Sequence, residues 1–161
     1  MKFRAHVITV SDRVSAGRME DASGPALFEM LGAADYEVSG PEVVPDNQER
    51  VTDCIVAAVV AGADLVVTTG GTGLGPRDVT PQATSMLIDY EVPGLGELMR
   101  RAGAEHTPLA ALSRSMAGVR GHSLVMNLPG SVKGATESLG AVLTVLPHAL
   151  KLLHGDTAHE A

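Results

Sequence analysis

The chain has 161 residues, 45% hydrophobic and 19% charged, a balance that fits one globular domain with a sizeable core rather than a disordered segment. Its net charge of −7 argues against non-specific binding to nucleic acid or anionic membranes, since both need an excess of Lys and Arg. The aromatic residues are Phe3, Phe28, Tyr36 and Tyr90, too few for a base-stacking platform, and the single cysteine, Cys54, can form no intrachain disulfide.

Four apolar runs read as strands: FRAHVITV (3–10), YEVSGPEVV (36–44), DLVVTT (64–69) and HSLVMNL (122–128). Three of them are almost continuously apolar, as expected for parallel strands buried on both faces. Between the first two runs, GPALFEMLGAAD reads as a helix with Ser23 as its N-cap and Leu27, Phe28 and Leu31 on one face. PDNQERVTDCIVAAVVAG follows the second run, with Asp46 and Glu49 at capping-box spacing. After the third run, TPQATSMLIDYE predicts a helix capped by Thr80 with Pro81 in first position, and PGLGELMRRAGAE predicts another beginning at Pro93. The C-terminal stretch SVKGATESLGAVLTVLPHALKLLHG is helical in period, and Pro147 predicts a kink or two consecutive helices. Residues 1–155 are expected to form one domain and 156–161 a frayed tail.

Strands alternating with helices imply a three-layer α/β/α fold with a mostly parallel sheet. In such sheets ligands bind beyond the carboxyl ends of the strands. That edge collects SDR after the first run, PDNQ after the second, GGTGLGPRD after the third and PGS after the fourth. No segment approaches the roughly 18 apolar residues of a membrane span, and the N-terminal apolar run is short for a signal peptide. A cytoplasmic protein is the expectation.

Gly70, Gly71, Thr72, Gly73 and Gly75 can bring successive backbone N–H groups close to an anion. The spacing fails both as GxxxxGK[ST] and as GxGxxG, and a ligand-free glycine-rich turn is the plain alternative. Asp78 suits a divalent cation at a phosphate edge, because Mg²⁺ commonly takes one or two carboxylates plus phosphate oxygens; the alternative is a solvated acid or a partner for Arg77. Asp46 has a complete local explanation as a helix cap, yet it ends one strand as Asp78 follows another, so the two could share a metal. Arg77 and Arg114 could hold phosphate oxygens, and Ser113, Ser115 and Ser131 offer hydroxyls that could equally be caps. The six histidines show no HxxxH or HExxH spacing, so no zinc site is expected, and Cys54 reads as core.

Taken together, SDR, VVPDN, TTGGTGLGPRDVTPQAT, PGLGE, LSRS and NLPGS resemble the molybdopterin adenylyltransferase family, the MogA/MoaB group that includes the G domain of gephyrin. The resemblance runs from about residue 5 to 153. It implies the MogA-like molybdopterin-binding fold, usually a homotrimer, and a reaction in which ATP and Mg²⁺ deliver AMP to the terminal phosphate of molybdopterin, releasing pyrophosphate. Molybdopterin and ATP would be the substrates, and a molybdate-inserting enzyme a possible partner. By resemblance, Asp46 and Asp78 are the catalytic and metal-binding acids. Ser11, Asp12, Gly70, Gly71, Thr72, Gly73, Ser113, Arg114, Pro129, Gly130 and Ser131 line the ligand sites. Gln82 stands where the family often has Glu, and Val132 where Pro is frequent. A non-catalytic molybdopterin-binding protein of the same fold is the alternative reading, and a scaffold domain is a third.

Overall fold

The computed structural model describes residues 1–158. In chain order the elements are β1 (Arg4–Val10), a single turn α1 (Asp12–Ser15), α2 (Ser23–Ala33), β2 (Glu37–Val44), α3 (Gln48–Val60), β3 (Leu65–Thr69) and α4 (Thr80–Leu87). There follow β4 (Tyr90–Glu91), α5 (Pro93–Ala104), a 3₁₀ turn (Pro108–Leu112), β5 (Met116–Arg120), β6 (Ser123–Leu128), α6 (Val132–Val142) and α7 (Leu146–Leu153).

The strands form one sheet in the order β2-β1-β3-β6-β5-β4. β2, β1, β3 and β6 run parallel, while β5 pairs antiparallel with both β6 and β4. The continuous apolar runs are explained by helices on both faces. Val7, Leu65, Val67, Leu124, Met126 and Leu128 point into a core covered by residues of α2, α5, α6 and α7. The alternate residues Ile8, Val10, Val66 and Val125 meet α3 and α4 on the other face. Each fully buried Leu, Ile or Val stabilises the fold by about 1.5–3 kcal/mol relative to exposure. The three-layer α/β arrangement with a mostly parallel sheet is therefore as expected. Among the described residues no helix is long and apolar enough to cross a membrane.

Several local expectations are corrected. Ser23 does not cap α2; it begins the helix, and the Asp21 carboxylate accepts from the Gly24 N–H at 3.1 Å instead. The cap of α3 is Asn47, whose side chain accepts from the Arg50 N–H, so Asp46 is released from that duty. Thr80 is the first helical residue of α4 rather than its cap, and its hydroxyl donates to the Gly70 carbonyl at 2.9 Å. That helix stops at Leu87, because Tyr90 and Glu91 leave it to pair with Val119 and Gly118. β5 carries no strong sequence signal, being short and interrupted by Gly118. The break near Pro147 is a full separation: α6 ends at Val142 and α7 begins at Leu146, with Pro147 in its first turn, where no amide donor is needed. Of the tail, residues 156–158 carry no regular structure, and 159–161 lie outside the described residues.

Candidate functional site

Chain order along the sheet reverses at β1, which has β2 on one side and β3 on the other. A crevice opens at such a switch point, beyond the carboxyl ends of the strands. Ser11 and Asp12 leave β1 there and the glycine loop leaves β3. A cleft of about 620 Å³ lies between them, lined by Ser11, Asp12, Asp46, Gly70, Gly71, Asp78 and Gly130, with Glu20 and Asp21 also on its wall.

The glycine loop is shaped by contacts that other residues would not allow. Gly70 has φ +106°, and a Cβ there would run into the Val10 carbonyl oxygen. Gly71 has φ +69°, and a Cβ would meet the Thr80 hydroxyl and come to 3.1 Å from Asp46 Oδ1. Among the described residues the backbone N–H groups of Gly71, Thr72, Gly73 and Leu74 donate to no protein acceptor, which leaves four donors for an anion.

The acids are held by main-chain donors. Asp46 Oδ2 accepts from the Asp12 N–H at 2.8 Å, and Asp12 Oδ1 accepts from the Asp46 N–H at 3.0 Å, a reciprocal pair that ties the end of β1 to the end of β2. Arg77 donates to both oxygens of Asp12, at 2.9 and 3.0 Å, so its partner is Asp12 rather than Asp78. Asp78 Oδ2 accepts from the Gly75 N–H at 2.9 Å across the loop. Burial raises Asp46 above the ordinary carboxylate range; the Asp12 N–H offsets part of this, and the charges of Asp12 and Asp78 reinforce it. Asp12 is lowered, chiefly by the Arg77 hydrogen bonds.

These bonds leave Oδ1 of Asp46 and Oδ1 of Asp78 without a hydrogen-bond partner among the described residues. The donor set fits Mg²⁺: hard carboxylate oxygens, one free on each acid, beside open amides that suit phosphate. Asp12, Asp46 and Asp78 do not converge into a three-acid cage, since the trio of ligand atoms found within 4.8 Å among the described residues is a different one, His6, Glu42 and Cys54.

Arg114 is not aimed at the cleft. Its guanidinium donates to the Gly73 carbonyl at 2.9 Å, the Asp78 carbonyl at 2.8 Å and Gln82 Oε1 at 3.1 Å. Gln82 thus serves as the acceptor that a Glu would also provide. Ser113 shares a 2.9 Å hydrogen bond with Ser115, and Ser131 caps α6 by accepting from the Gly134 N–H. Ser113, Pro129 and Ser131 line a second cavity of about 300 Å³, together with Arg100, His106, Lys133 and Glu137. The Pro129–Ser131 loop stands between the two cavities. It is pinned by Thr69, whose hydroxyl donates to the Pro129 carbonyl at 2.8 Å, and by Gly130 packing on Gly70.

The expected residues therefore divide. Ser11, Asp12, Asp46, Gly70, Gly71, Asp78 and Gly130 meet in the acidic cleft, and Ser113, Pro129 and Ser131 in its neighbour, while Thr72, Gly73 and Arg114 line neither of the two and are tied to one another by hydrogen bonds from Arg114. Sequence reasoning missed Glu20, Asp21, His106 and Lys133. Asp21 had a signal, an Asx residue three before Gly24 at a helix start; the others had none.

The chain matches the family described as "Probable molybdopterin binding domain" over residues 6–148. It is 40% identical to the molybdopterin adenylyltransferase of Helicobacter pylori (strain ATCC 700392 / 26695), covering 93% of this chain and 87% of that protein. It is 42% identical to a molybdenum cofactor biosynthesis bifunctional protein of Synechococcus elongatus over 94% of this chain, which spans only 47% of that longer relative. Among solved structures, the molybdopterin biosynthesis enzyme MoaB of Thermus thermophilus superposes with a TM-score of 0.89 at 52% identity, covering 95% of this chain and 97% of that one. With the family matched across most of its length, this chain belongs to the molybdopterin-binding domain family of molybdenum cofactor biosynthesis.

Proposed function

We propose that the chain transfers AMP from ATP to the terminal phosphate of molybdopterin and releases pyrophosphate, as a Mg²⁺-dependent molybdopterin adenylyltransferase. The observation that carries this reading is the pairing of open glycine-loop amides with two aspartates, Asp46 and Asp78, that each keep one oxygen free at the same cleft. The phosphate of molybdopterin is already an anionic nucleophile, so the site needs no strong general base. Its task is to bring two anions together and to stabilise the departing pyrophosphate. Bound Mg²⁺ would supply charge neutralisation between the phosphates.

The residues of the chain account for the rest. The N–H groups of Gly71 to Leu74 cradle phosphate oxygens, and the positive end of α6, capped by Ser131, faces the partition. Asp46 and Asp78 would hold the metal on the nucleotide side. On the other side, Ser113, Ser115 and Ser131 present hydroxyls, while Arg100 and Lys133 supply positive charge for an anionic ligand. No Phe, Tyr or Trp lines either cavity, so the pterin is read by hydroxyl and backbone groups. A trimeric assembly and a molybdate-inserting partner belong to the same reading.

Purified protein given molybdopterin, Mg²⁺ and ATP is expected to release pyrophosphate and form the adenylylated pterin. Binding of molybdopterin without pyrophosphate would establish a non-catalytic binding protein instead. Light scattering is expected to return a trimer mass, and a monomer would refute the assembly.

A further inference from the structure

A second cluster lies on the face of the sheet covered by α3, toward the start of β1. His6 on β1, Glu42 on β2 and Cys54 on α3 present ligand atoms that all lie within 4.8 Å of one another. They come from sequence positions with no recognisable metal-binding spacing, and a backbone irregularity brings them together. His6 pairs with Ser39 and Ile8 with Glu42, so three steps on β2 oppose two on β1. The extra residue sits at Gly40–Pro41, where Gly40 has φ +90° and a Cβ would run into the Val7 carbonyl oxygen. In a regular strand, residues three apart point to opposite faces. The bulge turns Glu42 to the same face as His6 and Cys54.

His6 Nδ1 lies 2.7 Å from the Ser39 hydroxyl, and Nε2 lies 3.4 Å from Glu42 Oε2. One ring nitrogen is thus held by a hydroxyl while the other faces the carboxylate. A metal-ligating imidazole is oriented in the same way, by a hydrogen bond at the nitrogen that does not bind the ion. The separation also fits. Two ligand atoms about 2.05 Å from a tetrahedral metal stand roughly 3.3 Å apart.

We propose that His6, Glu42 and Cys54 form a binding site for a borderline divalent cation of the zinc class, separate from the aspartate cleft. One nitrogen, one oxygen and one sulfur ligand suit Zn²⁺ and disfavour Mg²⁺, which takes oxygen alone. His6 and Glu42 also line a cavity of about 310 Å³, which has room for a water as a fourth ligand. The free Cys54 thiol, pushed up to about 12 mainly by burial, is protonated at neutral pH. Binding therefore exchanges the thiol proton for the ion, forming a sulfur–metal bond and releasing H⁺. The ion would staple the edge strand β2 to β1 and α3.

The test uses chelator-treated full-length protein titrated with Co²⁺ as a spectroscopic probe. One equivalent is expected to bind, with a sulfur-to-cobalt charge-transfer band and proton release. Because Cys54 is the single cysteine, the band can arise nowhere else in the chain. Cys54→Ser should abolish it, and His6→Ala and Glu42→Gln should each weaken binding about 10-fold or more. The double variant Asp46→Asn/Asp78→Asn should retain it. Zn²⁺ should displace Co²⁺ and raise the Tm of the parent protein more than that of Glu42→Gln, whose exposed change leaves the core intact. Absence of the band at saturating Co²⁺, or equal Zn²⁺-dependent Tm shifts in the parent and Glu42→Gln, would show a hydrogen-bonded trio only and overturn the proposal.

Discussion

The two cavities beside Pro129–Ser131 differ in charge although one short loop walls both. One gathers Asp12, Glu20, Asp21, Asp46 and Asp78; the other holds Arg100, His106 and Lys133 against Glu137. Both would have to accept phosphate-bearing ligands in the proposed reaction, so the difference is informative. A cavity rich in carboxylates repels a bare phosphate and accepts one that arrives with its cation. A cavity with Arg and Lys accepts the bare anion. In the proposed reaction the Pro129–Ser131 loop would separate a metal-carrying substrate from a metal-free one, and the two would meet only there.

The largest test of that separation is Asp78→Asn. The amide can still accept from the Gly75 N–H, so the loop keeps its shape while the charge is lost. Pyrophosphate release is expected to fall about 100-fold or more, with molybdopterin affinity, measured by equilibrium dialysis, nearly unchanged. Equal losses in both would merge the cavities into one functional unit. Gly70→Ala strikes the shared wall itself. Its positive φ and the Val10 carbonyl make the change cost about 1–3 kcal/mol, a fall in Tm of roughly 3–10 °C by calorimetry for a chain of this size.

Lys133→Ala sharpens the other side. It is expected to raise the KM for molybdopterin roughly two- to five-fold, the worth of one exposed charge, with the Mg²⁺ dependence unaltered. Asp46→Asn has the smallest effect on stability, and its sign is opposite to that of Gly70→Ala. Burial makes Asp46 hold its proton more tightly in the folded chain than its ordinary value of 3.8 implies, so stability falls as pH rises from that value through the raised one. The neutral Asn removes the penalty, and Tm at pH 7 should stay level or rise by up to about 3 °C. The gain should shrink as pH falls toward 4, while turnover is lost at every pH.

Legibility in the sequence followed the range of the interactions. β1, β3 and β6 announce themselves because helices cover both faces and most of their positions are apolar. β5 does not, since Met116–Arg120 owes its strand state to pairing with β6 and β4 rather than to its own residues. The caps went astray by one or two residues because Asp46 and Asn47 are adjacent and both can cap; only the fold reveals that Asn47 does so and Asp46 turns to Asp12. The glycine loop and its acids were readable as types. The partners of Asp12, 34 residues away at Asp46 and 65 away at Arg77, were not. The His6, Glu42 and Cys54 cluster was hidden for the same reason, and its alignment depends on a bulge that spacing rules do not anticipate.

Arg114 gives one more consequence. Its backbone N–H takes the Thr72 carbonyl at 2.9 Å, and its guanidinium takes those of Gly73 and Asp78. In a trans peptide the C=O and the following N–H point in opposite directions. Drawing three carbonyls toward a single residue therefore turns the N–H groups of Gly73, Leu74 and Val79 the other way. The cation that a sequence reading would send to a phosphate acts from behind instead, aiming the peptide dipoles of the loop before any ligand arrives.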